Sequence, residues 1–156
     1  IIVSSHGGNA ALIDLAARQL RVGHNMLAVH ASWGRFGYPE GLFTEAEHTH
    51  GIHGGDIETS IMLAAYPDLV RREKIANFVP ATIAMERDYK YLRADFPAGF
   101  GWMTQDLNAS GAVGDASLAT AEKGEAALAR GARAFVALLR DVEKFDLERL
   151  AAGPLG

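Results

Sequence analysis

The 156-residue chain is 49% hydrophobic, enough for the core of one ordinary domain, and its lack of cysteine excludes disulfides and thiolate metal sites. A formal charge of −4 with no basic cluster gives no footprint for nucleic acid or an anionic membrane, and no apolar run reaches the ~20 residues of a membrane span. A soluble, cytoplasmic protein acting on small molecules is expected, with His, Asp and Glu as its available metal donors.

Residues 1–5 are apolar and β-branched and read as a buried strand. The chain opens there without methionine, so a segment upstream of Ile1 is expected, because a buried parallel strand needs neighbours. The tight loop His6-Gly7-Gly8-Asn9 follows, in which Gly7 and Gly8 let the backbone turn and Asn9 caps a helix. That helix carries Leu12, Ile13, Ala16 and Leu20 on one face and Asp14, Arg18 and Arg21 opposite, with Gly23 at its end. Residues 26–31 read as a second strand. Strand, helix and strand then form a parallel unit with a right-handed crossover, which sets the class as α/β.

Residues 32–55, rich in Gly, aromatic, Glu and His, read as a long loop. A helix over 56–66 is expected, capped by Asp56 and ended by Pro67, then a weak strand over 74–79 and no defined element over 80–110. The final helix issues from a segment starting near Asp115. Leu128, Ala132, Phe135, Leu139 and Val142 form its apolar stripe, and Glu122, Lys123, Glu125, Arg133 and Arg140 its solvated surface. Residues 1–150 are expected to make one domain and 151–156 a frayed tail.

All six histidines, at 6, 24, 30, 48, 50 and 53, fall in the first third of the chain. His6 directly follows the first strand, where open α/β sheets bind ligands; it could equally end the strand by bonding a neighbour. In His53-Gly54-Gly55-Asp56-Ile57-Glu58-Thr59-Ser60 a glutamate occupies the first turn of a helix, where a carboxylate gains roughly 0.3 to 1 kcal/mol and is available to a cation. Simple capping explains Glu58 as well. His48 and His50, beside Glu45 and Glu47, are further possible ligands or solvent-facing residues, and His24 and His30 read as structural. No G-x-S-x-G elbow and no phosphate loop is present.

These strings together resemble the creatininase family: a strand ending in H-G-G-N, an H-[AG]-G-x-x-E-T-S segment, and a G-x-x-G-D…A-T-x-E-x-G segment. The last stands here as Gly111 to Asp115 and Ala119 to Gly124. The resemblance covers the carboxy-terminal two-thirds of such a protein. It implies a three-layer α/β/α fold with a mainly parallel central sheet, and hydrolysis of a C–N bond in a cyclic amide, formamide or related small molecule. It also implies a divalent metal site of zinc or manganese, two ions per site, and a homo-oligomer, often a hexamer. Within it His6 and Glu58 correspond to metal ligands, His53 to an acid or base near the substrate, and the Asp115 segment to a structural turn.

Trp33 and His50 are the expected substrate contacts, with Trp33 or Phe36 shielding the site from water; burial in the core is the competing expectation for either aromatic. Metal-activated water is the expected nucleophile, with His53 passing a proton to the leaving nitrogen.

The family places three more ligands before the H-G-G-N loop, a region this chain does not include, and His6 with Glu58 alone is fewer than a catalytic zinc takes. Gly8 stands where creatinine-hydrolysing members carry glutamate, and Thr49 and His50 where they carry an aromatic and an aspartate. A substrate other than creatinine follows. The alternative from another class is a binding or assembly protein that keeps the fold without a complete metal site.

Overall fold

The computed structural model describes residues 1–151. Its helices are α1 (Ala10–His24), α2 (Glu45–His50), α3 (Asp56–Ala65), α4 (Ala81–Asp88), α5 (Thr104–Leu107) and α6 (Ala121–Lys144). Its strands are β1 (Ile2–Ser4), β2 (His30–Ser32), β3 (Asn77–Phe78) and β4 (Gly114–Asp115). The chain divides into two compact units, one of residues 1–38 with the chain from 130 onward, the other of residues 39–129.

In the first unit β1 and β2 pair in parallel, with Val3 opposite Ala31, and α1 connects them. This is the strand–helix–strand unit that the apolar spacing predicts, and it places the chain in the α/β class. Two boundaries move. α1 ends on Asn25, whose φ of 52° is the left-handed turn that asparagine tolerates, instead of at Gly23. β2 begins at His30 instead of residue 26, and before it only the Val29 carbonyl accepts a ladder bond, from the Ile2 amide at 2.8 Å. Asn9 occupies the cap position of α1 without a side-chain bond, because residues 7–9 already form a 3-10 turn.

A second 3-10 turn, Trp33–Phe36, brings Trp33 and Phe36 against Phe135 of α6, with ring centroids 6.1 to 6.4 Å apart. Gly131 makes this approach possible: a Cβ there would lie 2.6 Å from the indole. In this unit α6 packs through Gly131 and Phe135, while Ala132 and Leu139 of the expected stripe are exposed. Arg21 donates to the Ala151 carbonyl; the rest of the expected frayed tail, 152–156, lies outside the described residues.

The second unit replaces two expected loops with helices. Within 32–55, α2 starts at Thr44, whose hydroxyl accepts the Glu47 amide at 3.1 Å. Within 80–110 stand α4, entered from Pro80, and the single turn of α5. The strand expected over 74–79 shrinks to β3, antiparallel to β4. α6 starts at Ala121, not near Asp115, since Asp115 instead caps a 3-10 turn by accepting the Ser117 amide at 3.1 Å. The core here is Ala94, Leu107 and the fully buried Val113, with Ile52 and Trp102 packed on it. The Trp102 indole donates to the Ala94 carbonyl at 2.7 Å, so its one polar atom is satisfied where the ring is half-buried.

Candidate functional site at the start of helix α3

Val113 anchors the site. It exchanges both backbone bonds with His53, its amide reaching the His53 carbonyl at 2.6 Å and its carbonyl the His53 amide at 3.0 Å. A residue with no exposed surface therefore fixes the backbone of an exposed histidine. Gly54 follows at φ 64°, a turn that glycine makes without strain, and delivers the chain into α3.

Each of the next polar side chains has a partner. The Gly54 amide donates to Glu58 Oε2 at 2.6 Å, and the Thr59 hydroxyl donates to the Gly54 carbonyl at 3.2 Å. The Ser60 hydroxyl donates to Asp56 at 3.0 Å and accepts the Thr120 amide at 3.1 Å. Gly124 lies so close that a Cβ would sit 2.0 Å from the Ser60 carbonyl oxygen. The second and third motifs thus interlock through His53–Val113 and Ser60–Thr120. The Gly111–Asp115 segment, expected only as a turn, is the strand partner that holds His53.

Asp56 is not the cap of α3. Gly55 holds that position, and the Asp56 carboxylate is wholly buried, receiving the Lys123 ammonium at 2.6 Å. Lys123, expected on the solvated face of α6, also donates to the Leu118 carbonyl at 2.9 Å, because the first turn of that helix lies over Asp56. Burying a carboxylate requires such a partner.

What stays open to solvent is the pair His53–Glu58. The imidazole Nδ1 lies 3.5 Å from Glu58 Oε2, and both side chains are about half exposed, at 53% and 49%. The pair combines a proton carrier with a carboxylate oriented by a backbone amide, the composition that general acid–base chemistry uses.

The other sequence candidates each have contacts of their own. His50 is held by two residues of α4, with Nδ1 3.0 Å from the Thr82 hydroxyl and Nε2 3.3 Å from Glu86. It borders a cleft of about 140 Å³ together with Thr44, Asn77, Pro80 and Asp115. His48 stacks edge-on against Phe43. In the first unit Trp33 joins the aromatic cluster already described, His30 lies 3.8 Å from Asp14, and His24 closes α1.

His6 folds back on its own loop, Nδ1 accepting the Gly8 amide at 3.1 Å. A Cβ at residue 8 would lie 2.9 Å from the ring, so Gly8 permits this rotamer.

A divalent metal needs several such donors at one point. His53 and Glu58 supply the right donor types, yet a catalytic zinc takes three protein ligands, and among the described residues no three His, Asp or Glu side chains converge. His6, by accepting at Nδ1, carries its proton on Nε2 and presents a donor there. Ligating histidines do the reverse, donating with the ring nitrogen that does not bind the metal. Among the described residues, therefore, neither His53 with Glu58 nor His6 in this rotamer makes a metal centre.

Sequence reasoning missed Glu47. It is 5% exposed in the middle of α2, and burial pushes its carboxyl up from the ordinary range, against the lowering effect of the Ile57 and Asp115 amides that bond it. The signal was present as Thr44-Glu45-Ala46-Glu47, the capping pattern that starts a helix.

The chain is thus of the α/β class, with an imidazole–carboxylate pair at a glycine-built helix entry. Comparison with known proteins adds the family. The profile of the creatininase family, creatinine amidohydrolase, matches residues 1–139, and the chain belongs to that family. A creatinine amidohydrolase from Pseudomonas putida is 32% identical over 141 residues, covering 80% of this chain and 48% of that protein.

Among solved structures, a Bacteroides fragilis protein assigned as a creatinine amidohydrolase superposes with a TM-score of 0.69 at 26% identity, over 91% of this chain and 53% of its own. A creatininase described as the Mn form gives 0.61 at 28% identity, over 89% and 54%. A mutant creatininase of Zn-Zn type gives 0.53 at 32%, over 83% and 48%. The chain spans about half the length of the relatives it matches. No helix of the described residues is long and apolar enough to cross a membrane.

Proposed function

We propose that this chain belongs to an amidohydrolase that cleaves the C–N bond of a cyclic amide, formamide or related small molecule. The observation that carries this reading is the His53–Glu58 pair, exposed and aligned while every neighbouring polar group is committed to the scaffold. Water adds to the amide carbon and gives a proton to His53, which passes it to the nitrogen as the C–N bond breaks, since that nitrogen leaves poorly as an anion. Glu58, its carboxylate steered by the Gly54 amide, orients the imidazole and balances its positive charge after it takes a proton.

A divalent metal, zinc and/or manganese at two per site, belongs to the reading on family grounds, in line with the Mn and Zn-Zn forms of similar structures. Ligand roles are assigned to His6 and to Glu58 individually, and His6 must release the Gly8 amide to take its own. Trp33 and His50 are kept as substrate contacts. A soluble cytoplasmic homo-oligomer, of hexameric type, completes the proposal.

The test is hydrolysis by the intact protein of a panel holding creatinine, other cyclic amides and formamides, with zinc or manganese added and products followed by NMR. At least one amide or formamide other than creatinine is cleaved, and His53→Ala lowers its turnover by about 10²- to 10⁴-fold, the usual weight of a general acid. Absence of turnover across the panel, or an unaffected His53→Ala, contradicts the reading.

A further inference from the structure

Helix α3 begins on Gly55, which has no side chain with which to cap it, yet its first amides are not left bare. The acceptor comes from another helix. Glu47 Oε1 receives the Ile57 amide at 3.0 Å, and the amides of Asp56 and Asp115 also bond this carboxyl. Its neighbours Glu45, Ala46, His48 and Thr49 on α2 are exposed, so of the two glutamates of this helix only Glu47 turns inward.

The surrounding backbone is cut to admit it. A Cβ at Gly51 would come within 2.3 Å of the Glu47 carboxyl carbon, one at Gly55 within 2.4 Å of Oε1, and one at Gly114 within 3.2 Å of Oε2. Those glycines flank the residues that matter here. Gly51 and Gly55 bracket His53, Gly114 follows the Val113 that pins the His53 backbone, and Ile57 precedes Glu58.

The ordinary solution, a Ser, Thr or Asp at position 55, is closed off by Glu47 itself, since a Cβ there would lie 2.4 and 2.8 Å from its two carboxylate oxygens. The backbone at Gly114 is equally close on its own side, where a Cβ would lie 2.7 Å from the Gly55 Cα.

We infer that Glu47 is the positioning residue of the His53–Glu58 pair, capping α3 from α2 and tying the Gly51–Gly55 turn, the Gly114 strand and the first turn of α3 into one frame. The inference rests on the reading of that pair as the reactive groups. Glu47 touches no substrate; it sets where the two reacting side chains stand.

The experiment compares Glu47→Ala, Glu47→Gln and Glu58→Gln in the intact protein, reading kcat and KM on the amide that the wild type cleaves and hydrogen exchange at the Ile57 amide. Glu47→Ala is expected to lower kcat by about 10- to 100-fold, the range seen when an orienting partner is removed, with KM little changed. Exchange at Ile57 accelerates while that in α1 does not. Glu47→Gln keeps one acceptor oxygen for Ile57 but turns an amide NH2 toward the other donors, so its kcat lies between Glu47→Ala and wild type. Should the alanine variant fail to fold, the glutamine variant alone decides, by an intermediate kcat with faster Ile57 exchange.

Wild-type kcat in Glu47→Gln together with inactive Glu58→Gln overturns the positioning role and leaves the pair standing. Wild-type kcat in Glu58→Gln removes the pair, and this inference with it.

Discussion

Two pairs whose carboxylates stand two residues apart on α3 have opposite fates. Asp56 and Lys123 meet at 2.6 Å with the carboxylate wholly buried, whereas Glu58 and His53 meet at 3.5 Å with both side chains half in water. One carboxylate is locked into the scaffold by its cation, and the other stays open to solvent beside an imidazole. Position on the helix decides which. Asp56, at the first helical residue, faces the start of α6, while Glu58 turns back to the Gly54 amide at the open side of the turn.

The largest way to break the comparison is to strand the buried charge. Lys123→Met leaves Asp56 without its cation and should cost about 3 to 5 kcal/mol of unfolding free energy in urea titration. Asp56→Asn should cost less, because the Lys123 side chain keeps 25% of its surface exposed and its ammonium can turn to solvent. Next comes Gly124→Ala, whose methyl would collide with the Ser60 carbonyl at the same seam; about 1 to 3 kcal/mol is expected from overpacking, read by the same titration.

Glu47 provides a comparison in pH. Burial raises its folded-state value above the ordinary carboxylate range. Between those two values the folded chain holds a proton that the unfolded chain has released, so stability falls as pH rises through that window. Below the ordinary value both states are protonated and the contribution is fully present. Glu47→Gln should flatten this segment of the stability–pH profile, measured by denaturation at a series of pH values. The smallest effect on stability belongs to the exposed pair. Glu58→Gln and His53→Ala should each stay within about 0.5 kcal/mol of wild type, since ion pairs in water contribute little.

How much of this could be read from the chain follows the length of each signal. β1, α1 and α6 carry apolar periods long enough to see, and the crossover rule made β1 and β2 parallel. The strings around His53 and Ser60 marked the segment that forms the candidate site. What escaped was short or non-local: β3 and β4 have two residues each, too few for any alternation. The burial of Asp56 depends on Lys123, 67 positions away, and a carboxylate at a helix start looks like a cap until its partner is known. Glu47 was hidden for the same reason, since the glycines that admit it lie on two other segments. The fold-back of His6 was local, but a histidine before two glycines suits a ligand and a loop cap equally well.

The central claim, that the exposed pair does the chemistry while the buried pair holds the frame, is tested most directly by the turnover of Glu58→Gln on an amide that the wild-type protein hydrolyses. A fall of about 100-fold or more, in a variant whose unfolding free energy is unchanged, is the predicted result. Wild-type turnover in that variant would contradict it.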